Sequence, residues 1–162
     1  MRVNSDIAVA AAIESVWAII ADPERVLSYM SGVTRWEVVG DHRVGLGARY
    51  RMLFRIGAAE VGGLIEVVEF SEPLEFAWTS VTGLDHRGRW RLRETSGGRT
   101  RIELRLAYVV AGAGLSGWIA ERIAAPSVAR HVRQTLQQLG RLVEQEQLRE
   151  RAARRRAGVP DR

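Results

Sequence analysis

Few residues in this chain combine a type and a spacing suited to chemistry. The most explicit set is Gly112-Ala113-Gly114-Leu115-Ser116-Gly117, a glycine pattern that can bring a backbone close to a pyrophosphate. It follows a strand-like run and precedes a helical one, as a dinucleotide site requires. Such a site also needs a second parallel strand with an acidic residue about 20 positions further on. Here helix-forming sequence continues almost to Arg162. The motif therefore reads as a flexible strand-to-helix loop that could rim a cavity.

The three histidines are dispersed. His42 falls in a predicted loop, His86 on the apolar parity of a strand, and His131 beside the apolar stripe of the last helix. No pair has the spacing of a zinc site, and no neighbouring carboxylate completes one. No metal and no cofactor is expected. His86 is the best polar candidate near a cavity, with a histidine hydrogen-bonded at the sheet edge as the plainer reading. The aromatic set is Trp36, Tyr50, Phe54, Phe76, Trp78, Trp90 and Tyr108, with Trp118. These rings are either core or the lining of a pocket for a flat or greasy ligand. Polar tips buried without a ligand need protein partners.

The elements that position these residues follow from periodicity. Val128, Val132, Thr135, Leu136, Leu139, Leu142 and Val143 recur at three- and four-residue steps, which makes one apolar stripe on a long helix from Pro126 to about Gln145. Leu115, Ile119 and Ile123 form a stripe in a different phase, so a kink or break is expected at Pro126. Upstream, Arg2–Val9 reads as a strand and Ile13–Ile20 as a helix. Asp22-Pro23 ends that helix and can open a second short one running to about Tyr29 or Met30. Alternating runs follow at Thr34–Val39, Arg49–Ile56, Ala59–Phe70, Glu75–Val81, His86–Arg93 and Arg99–Val110. Gly62-Gly63 suggests a bulge or bend in the fourth strand.

One face of these strands is apolar and the other is rich in arginine, as in antiparallel sheets with one covered face. Seven strands and three helices make an α+β fold. The expected architecture is a curved seven-stranded antiparallel sheet wrapped around a long C-terminal helix, with two short helices after the first strand. Its ligand-binding set is Trp36, Tyr50, Met52, Phe54, Trp78, His86, Trp90, Leu104, Leu106 and Tyr108 from the sheet, with Val128, Val132 and Thr135 from the helix.

Composition narrows the class. A chain of 162 residues fits one domain with a core, here residues 1–148 followed by an Arg-rich helix end and disordered tail at 149–162. Residues 1–148 carry 18 Arg and 17 acids, so the body is nearly neutral. Residues 149–162 carry six Arg and two acids, which concentrates the net charge of +5 in the tail. A nucleic-acid binder would show a basic face on its folded part, so no nucleic-acid partner is expected. Without cysteine there is no disulfide framework and no thiolate metal site. No apolar run approaches the ~20 residues of a membrane span. Asp6 and Glu14 leave the apolar run at Ala8–Ile13 too short for a signal peptide. A soluble, cytoplasmic protein is expected.

Ala12-Ile13-Glu14-Ser15-Val16-Trp17, followed by Ile20-Ala21-Asp22-Pro23-Glu24, resembles the opening of the START-like (Bet v 1-like) superfamily. Within it the similarity is to the polyketide cyclase/dehydrase and lipid-transport (SRPBCC) group. The Gly45-Leu46-Gly47 turn, residues 66–73, Gly88-Arg89-Trp90-Arg91-Leu92 and the closing Leu136–Leu139 segment fit the same pattern, so nearly the whole chain is covered. The resemblance implies a helix-grip fold, with the terminal helix held over a cavity. It implies a small hydrophobic ligand, aromatic or lipid-like. It also admits an aromatase/cyclase or dehydratase acting on a substrate tethered to an acyl carrier protein. In related cyclases an inward arginine and tyrosine polarise a carbonyl and assist enolisation, which needs a donor aimed at the developing oxyanion and an acid or base within reach. Tyr50, His86, Tyr108 and Arg122 are the residues to which such roles would fall, although no arginine lies on the inner parity of a strand. A protein-interaction module remains a further alternative.

Overall fold

The computed structural model describes residues 1–109 and 115–157, without the side chains of 115–125. The side chains of Trp118 and Arg122, the connection at 110–114 and the end of the tail at 158–162 lie outside the described residues. The chain runs β1 (Arg2–Val9), α1 (Ile13–Ile20), α2 (Val26–Tyr29), β2 (Val33–Val39), β3 (Arg49–Ile56), β4 (Ala59–Ser71), β5 (Glu75–Ser80), β6 (His86–Thr95), β7 (Arg99–Tyr108) and α3 (Leu115–Arg156). The strands form one antiparallel sheet in the order β1-β7-β6-β5-β4-β3-β2. This is the helix-grip arrangement that the sequence resemblance implies.

Alternation decides which face α3 covers. In β6, His86, Trp90 and Leu92 are buried, while Arg87 and Arg93 are exposed. On the outer face the arginines pair with acids. Arg89 meets Glu69 at 2.7 Å and Glu75 at 3.0 Å, Arg91 also meets Glu75, and Arg49 meets Glu66 at 2.7 Å. Trp78 lies over Gly88, where a Cβ would stand 2.0 Å from the indole. The Gly88-Arg89-Trp90 run thus leaves room for a neighbouring ring.

Three local features depart from the sequence reading. Gly62 and Gly63 hold their register with Leu53 and Met52, and the register shift of β4 lies between Val67 and Glu69 instead. Close backbone approach explains the glycines, since a Cβ on Gly63 would meet the Thr82 carbonyl oxygen at 2.0 Å. The second helix starts later than Asp22-Pro23 suggested. The Asp22 carboxylate accepts the Glu24 backbone N–H at 2.9 Å, and this holds a turn ahead of Val26. Finally, α3 forms one helix from Leu115 to Arg156 with Pro126 inside it, so the expected interruption does not take the form of a break. Proline there removes one backbone donor, and its fixed φ remains compatible with helix.

Val128, Val132, Thr135, Leu136, Leu139 and Val143 are the buried face of α3. Gly140 lets the helix approach β1, with its missing Cβ 3.2 Å from Val9 and 3.5 Å from Ile7. Polar ties hold the C-terminal part of α3 in place. Arg25 makes a two-pronged pair with Glu146, the Ala10 N–H donates to Glu144 at 3.1 Å, and Gln147 donates to Ser15 at 3.3 Å. Among the described residues no helix is long and apolar enough to cross a membrane.

Candidate functional site

The sheet and α3 do not close on each other along the whole contact. A hollow remains between β3, β6 and β7 on one side and α3 with the α2–β2 turn on the other. Met52 and Phe54 line it from β3, His86 from β6, and Leu104, Leu106 and Tyr108 from β7. Val128, Val132 and Thr135 line it from α3. The other sequence-chosen residues lie elsewhere. Trp78 and Trp90 are sealed in the core, and Trp36 stacks on Tyr50 at 4.8 Å beside it. Met30 and Ser31 of the α2–β2 turn and Val33 at the start of β2, with Ala107 and His131, complete the wall. The turn has no periodicity to announce its role. His131, beside the apolar stripe, was the one visible signal.

The hollow totals about 490 Å3 of empty space, including its open mouth, but water-molecule centres can reach only about 40 Å3. The described conformation thus has room only for water-sized occupants. Anything with a ring must push the walls apart. Met30 and Met52 are suited to this, because unbranched thioether side chains adapt at small cost.

Polar groups interrupt the apolar wall at His86, at the cluster of Ser31, His131 and Thr135, and at the Tyr108 hydroxyl. The first is His86. Its Nδ1 lies 2.9 Å from the Leu84 carbonyl oxygen, which can only accept, so Nδ1 carries the proton. Nε2 is then an acceptor, and it is buried without a partner among the described residues. Burial holds the imidazole below its ordinary pKa, partly opposed by the Leu84 carbonyl and Asp85. Phe54 meets the ring edge-on at 5.7 Å. The second group is satisfied within the protein. Ser31 Oγ lies 3.1 Å from His131 Nδ1 and 2.9 Å from Gln134 Oε1, and the Ser31 N–H donates to Thr135 Oγ1 at 2.9 Å. Burial also lowers the His131 pKa, with neighbouring Arg130 adding to the effect.

The other catalytic candidates are placed differently. The Tyr50 hydroxyl donates to the Arg43 carbonyl oxygen at 2.7 Å, away from the hollow, and burial pushes its pKa up to about 12. The Tyr108 hydroxyl donates to Met1 Sδ at 3.2 Å. Among the described residues no arginine lines the hollow, and no three His, Asp or Glu side chains converge as a metal site would need.

A family model described as polyketide cyclase/dehydrase and lipid transport matches residues 1–144. The chain belongs to that family. Solved structures agree on the fold of this polyketide cyclase/dehydrase and lipid-transport family member. A Thermus thermophilus protein is 24% identical, with a TM-score of 0.76, and the match covers 88% of this chain and 97% of that one. An aromatase/cyclase from a Streptomyces species is 18% identical, with a TM-score of 0.75 and coverage of 89% and 93%. A START superfamily protein of Mycobacterium smegmatis is 15% identical, with a TM-score of 0.70 and coverage of 88% and 98%. At these identities the likeness is one of fold. No curated protein matches the chain.

Proposed function

We propose that the protein binds a small hydrophobic molecule, aromatic or lipid-like, in the hollow between the sheet and α3. The observation that carries this reading is an apolar-walled gap between the sheet and α3. Pocket sites are mostly apolar with a few placed polar groups, and the walls here fit that description. The absence of cysteine suits work in the cytoplasm. Val132 is a direct handle, since it is buried in α3 and faces the gap. Val132→Phe fills the space. A naphthalene-based fluorescent dye is expected to bind the wild type and raise its melting temperature, and to lose both effects in the variant. Equal dye binding by a folded Val132→Phe protein would place the ligand elsewhere.

A second reading is an aromatase/cyclase or dehydratase acting on a carrier-bound polyketide. His86 favours it, because a neutral imidazole with an available lone pair in an apolar wall is a competent general base. The engaged hydroxyl of Tyr50 and the lack of a described arginine in the wall weigh against it. Turnover that depends on His86 separates this reading from simple binding.

A further inference from the structure

We infer that the ligand of this cavity carries a neutral hydrogen-bond donor, a hydroxyl or N–H, which it gives to Nε2 of His86. The inference rests on the cavity-binding reading and narrows it to a chemical class. Three buried polar atoms lack a partner among the described residues, namely Trp36 Nε1, Trp78 Nε1 and His86 Nε2. Only His86 lines the hollow. The Leu84 carbonyl occupies the only proton on the ring, so the remaining nitrogen can accept and cannot donate. A ketone, an ether or a carboxylate presents acceptors alone and leaves Nε2 unsatisfied. An ammonium can donate, but it would have to shed its hydration inside an apolar wall. A phenol, an alcohol, an enol or an amide N–H meets both demands.

The rest of the wall does not compete for that role. Ser31, His131, Gln134 and Thr135 bond to one another across the α2–β2 turn and α3. The Tyr108 hydroxyl donates to Met1 Sδ at 3.2 Å, and Leu104, Leu106, Val128 and Val132 offer only apolar contact. The site therefore asks for an apolar body with one donor at the His86 end. Without such a ligand, Nε2 is a buried acceptor waiting for one, and pairing it removes the cost of leaving it unmade.

The test uses 2-naphthol, 2-methoxynaphthalene and the full-length protein. The two probes share a ring system, so the work of opening the walls largely cancels between them. The hydroxyl must lose water on entry, so without a partner inside, naphthol is the weaker binder. The expected result is naphthol binding about tenfold more tightly than the ether, which matches one hydrogen bond at the upper end of its net value. His86→Phe is expected to abolish that preference, and His86→Gln, which restores an acceptor, to keep part of it. Nitrogen-15 NMR of the wild type gives a readout that needs no variant, because naphthol should shift the Nε2 resonance and leave Nδ1 nearly unmoved. Equal binding of the two probes, tighter binding of the ether, or a preference that survives His86→Phe would overturn the inference while leaving a binding cavity. Failure of both probes to bind would remove the cavity reading with it.

Discussion

The contact between Gly32 and His131 offers a measurement in which backbone strain and side-chain collision can be separated. Gly32 adopts φ +83°, and a Cβ placed there would lie 2.8 Å from His131 Cγ and Nδ1. Gly40 adopts φ +85° with nothing within 4 Å of its missing Cβ. The two glycines thus share a positive φ and differ in what surrounds them. In Gly40→Ala only the left-handed conformation is penalised, by roughly 1–2 kcal/mol, partly offset by about 0.4–1 kcal/mol from a less flexible unfolded chain. Gly32→Ala adds an overpacking term of about 1–3 kcal/mol. His131 is half-buried and can swing outward, which favours the lower end. The expected excess of Gly32→Ala over Gly40→Ala is therefore about 1 kcal/mol.

Urea unfolding reads this directly. With a slope of about 2 kcal/mol per molar, within the usual range, the Gly32→Ala midpoint falls about 0.5 M below that of Gly40→Ala. Repeating both in a His131→Ala background should erase the excess and leave the shared strain. That gives a double-mutant cycle with a coupling well above the scatter of about 0.3–0.5 kcal/mol seen for independent sites. Equal midpoints for the two alanine variants, or an excess that persists without His131, would show that the ring does not rest on Gly32. The wall of the hollow would then have to be redrawn.

Two further outcomes are expected. His86 and His131 both have folded pKa values held below the ordinary histidine range by burial. Their contribution to stability is complete above about pH 6.5 and is lost as pH falls through the folded values, because the unfolded chain takes up protons first. Unfolding free energy should decline from pH 7.5 to 5.5, and His86→Gln should flatten part of the decline. An unchanged slope would mean that His86 is not sequestered. On the cyclase reading, His86→Ala should abolish turnover of a carrier-bound polyketide, whereas Tyr50→Phe, which loses only the bond to Arg43, should leave it intact. A product distribution indifferent to His86 would dispose of that reading.

The architecture was readable because its signals are periodic. Alternation in β3, β6 and β7 fixed which side chains face inward, and the three- and four-residue steps after Pro126 fixed the face that α3 presents. Parity, however, tells inward from outward and nothing more. Trp78 and Trp90 share a parity with Met52 and Leu104, yet the first two pack as core and the others border the gap. That division depends on where α3 stands off the sheet, which no strand encodes by itself. The turn at Met30–Val33 carries no sequence signal for the same reason, since its place in the wall comes from Ser31 bonding to Thr135 about a hundred residues later. Gly62 and Gly63 are visible as unusual, but their causes are the Met52 carbonyl of the paired strand at Gly62 and the Thr82 carbonyl on a neighbouring turn at Gly63. Sequence shows that glycine is needed and does not show what approaches it.

The narrowness of the hollow follows from how α3 is held. Toward the C-terminus the helix is fixed by Leu139 and Val143 in the core, by Gly140 against β1, and by Glu144 and Glu146 on Ala10 and Arg25. The residues that border the gap, Val128, Val132 and Thr135, come one to several turns earlier. At those turns one tie across the gap among the described residues is the Ser31 cluster, which joins a short turn to the helix through three hydrogen bonds. Each such bond contributes only about 0.5–1.5 kcal/mol net. Admitting a ring therefore requires displacing the Met30–Val33 turn, with its adaptable methionine, while the distal half of α3 keeps its place. A narrow gap and a ligand of ordinary size are compatible on this account. The energy of opening is local, and an apolar body with one donor for His86 returns it through burial and through a bond that the closed protein lacks.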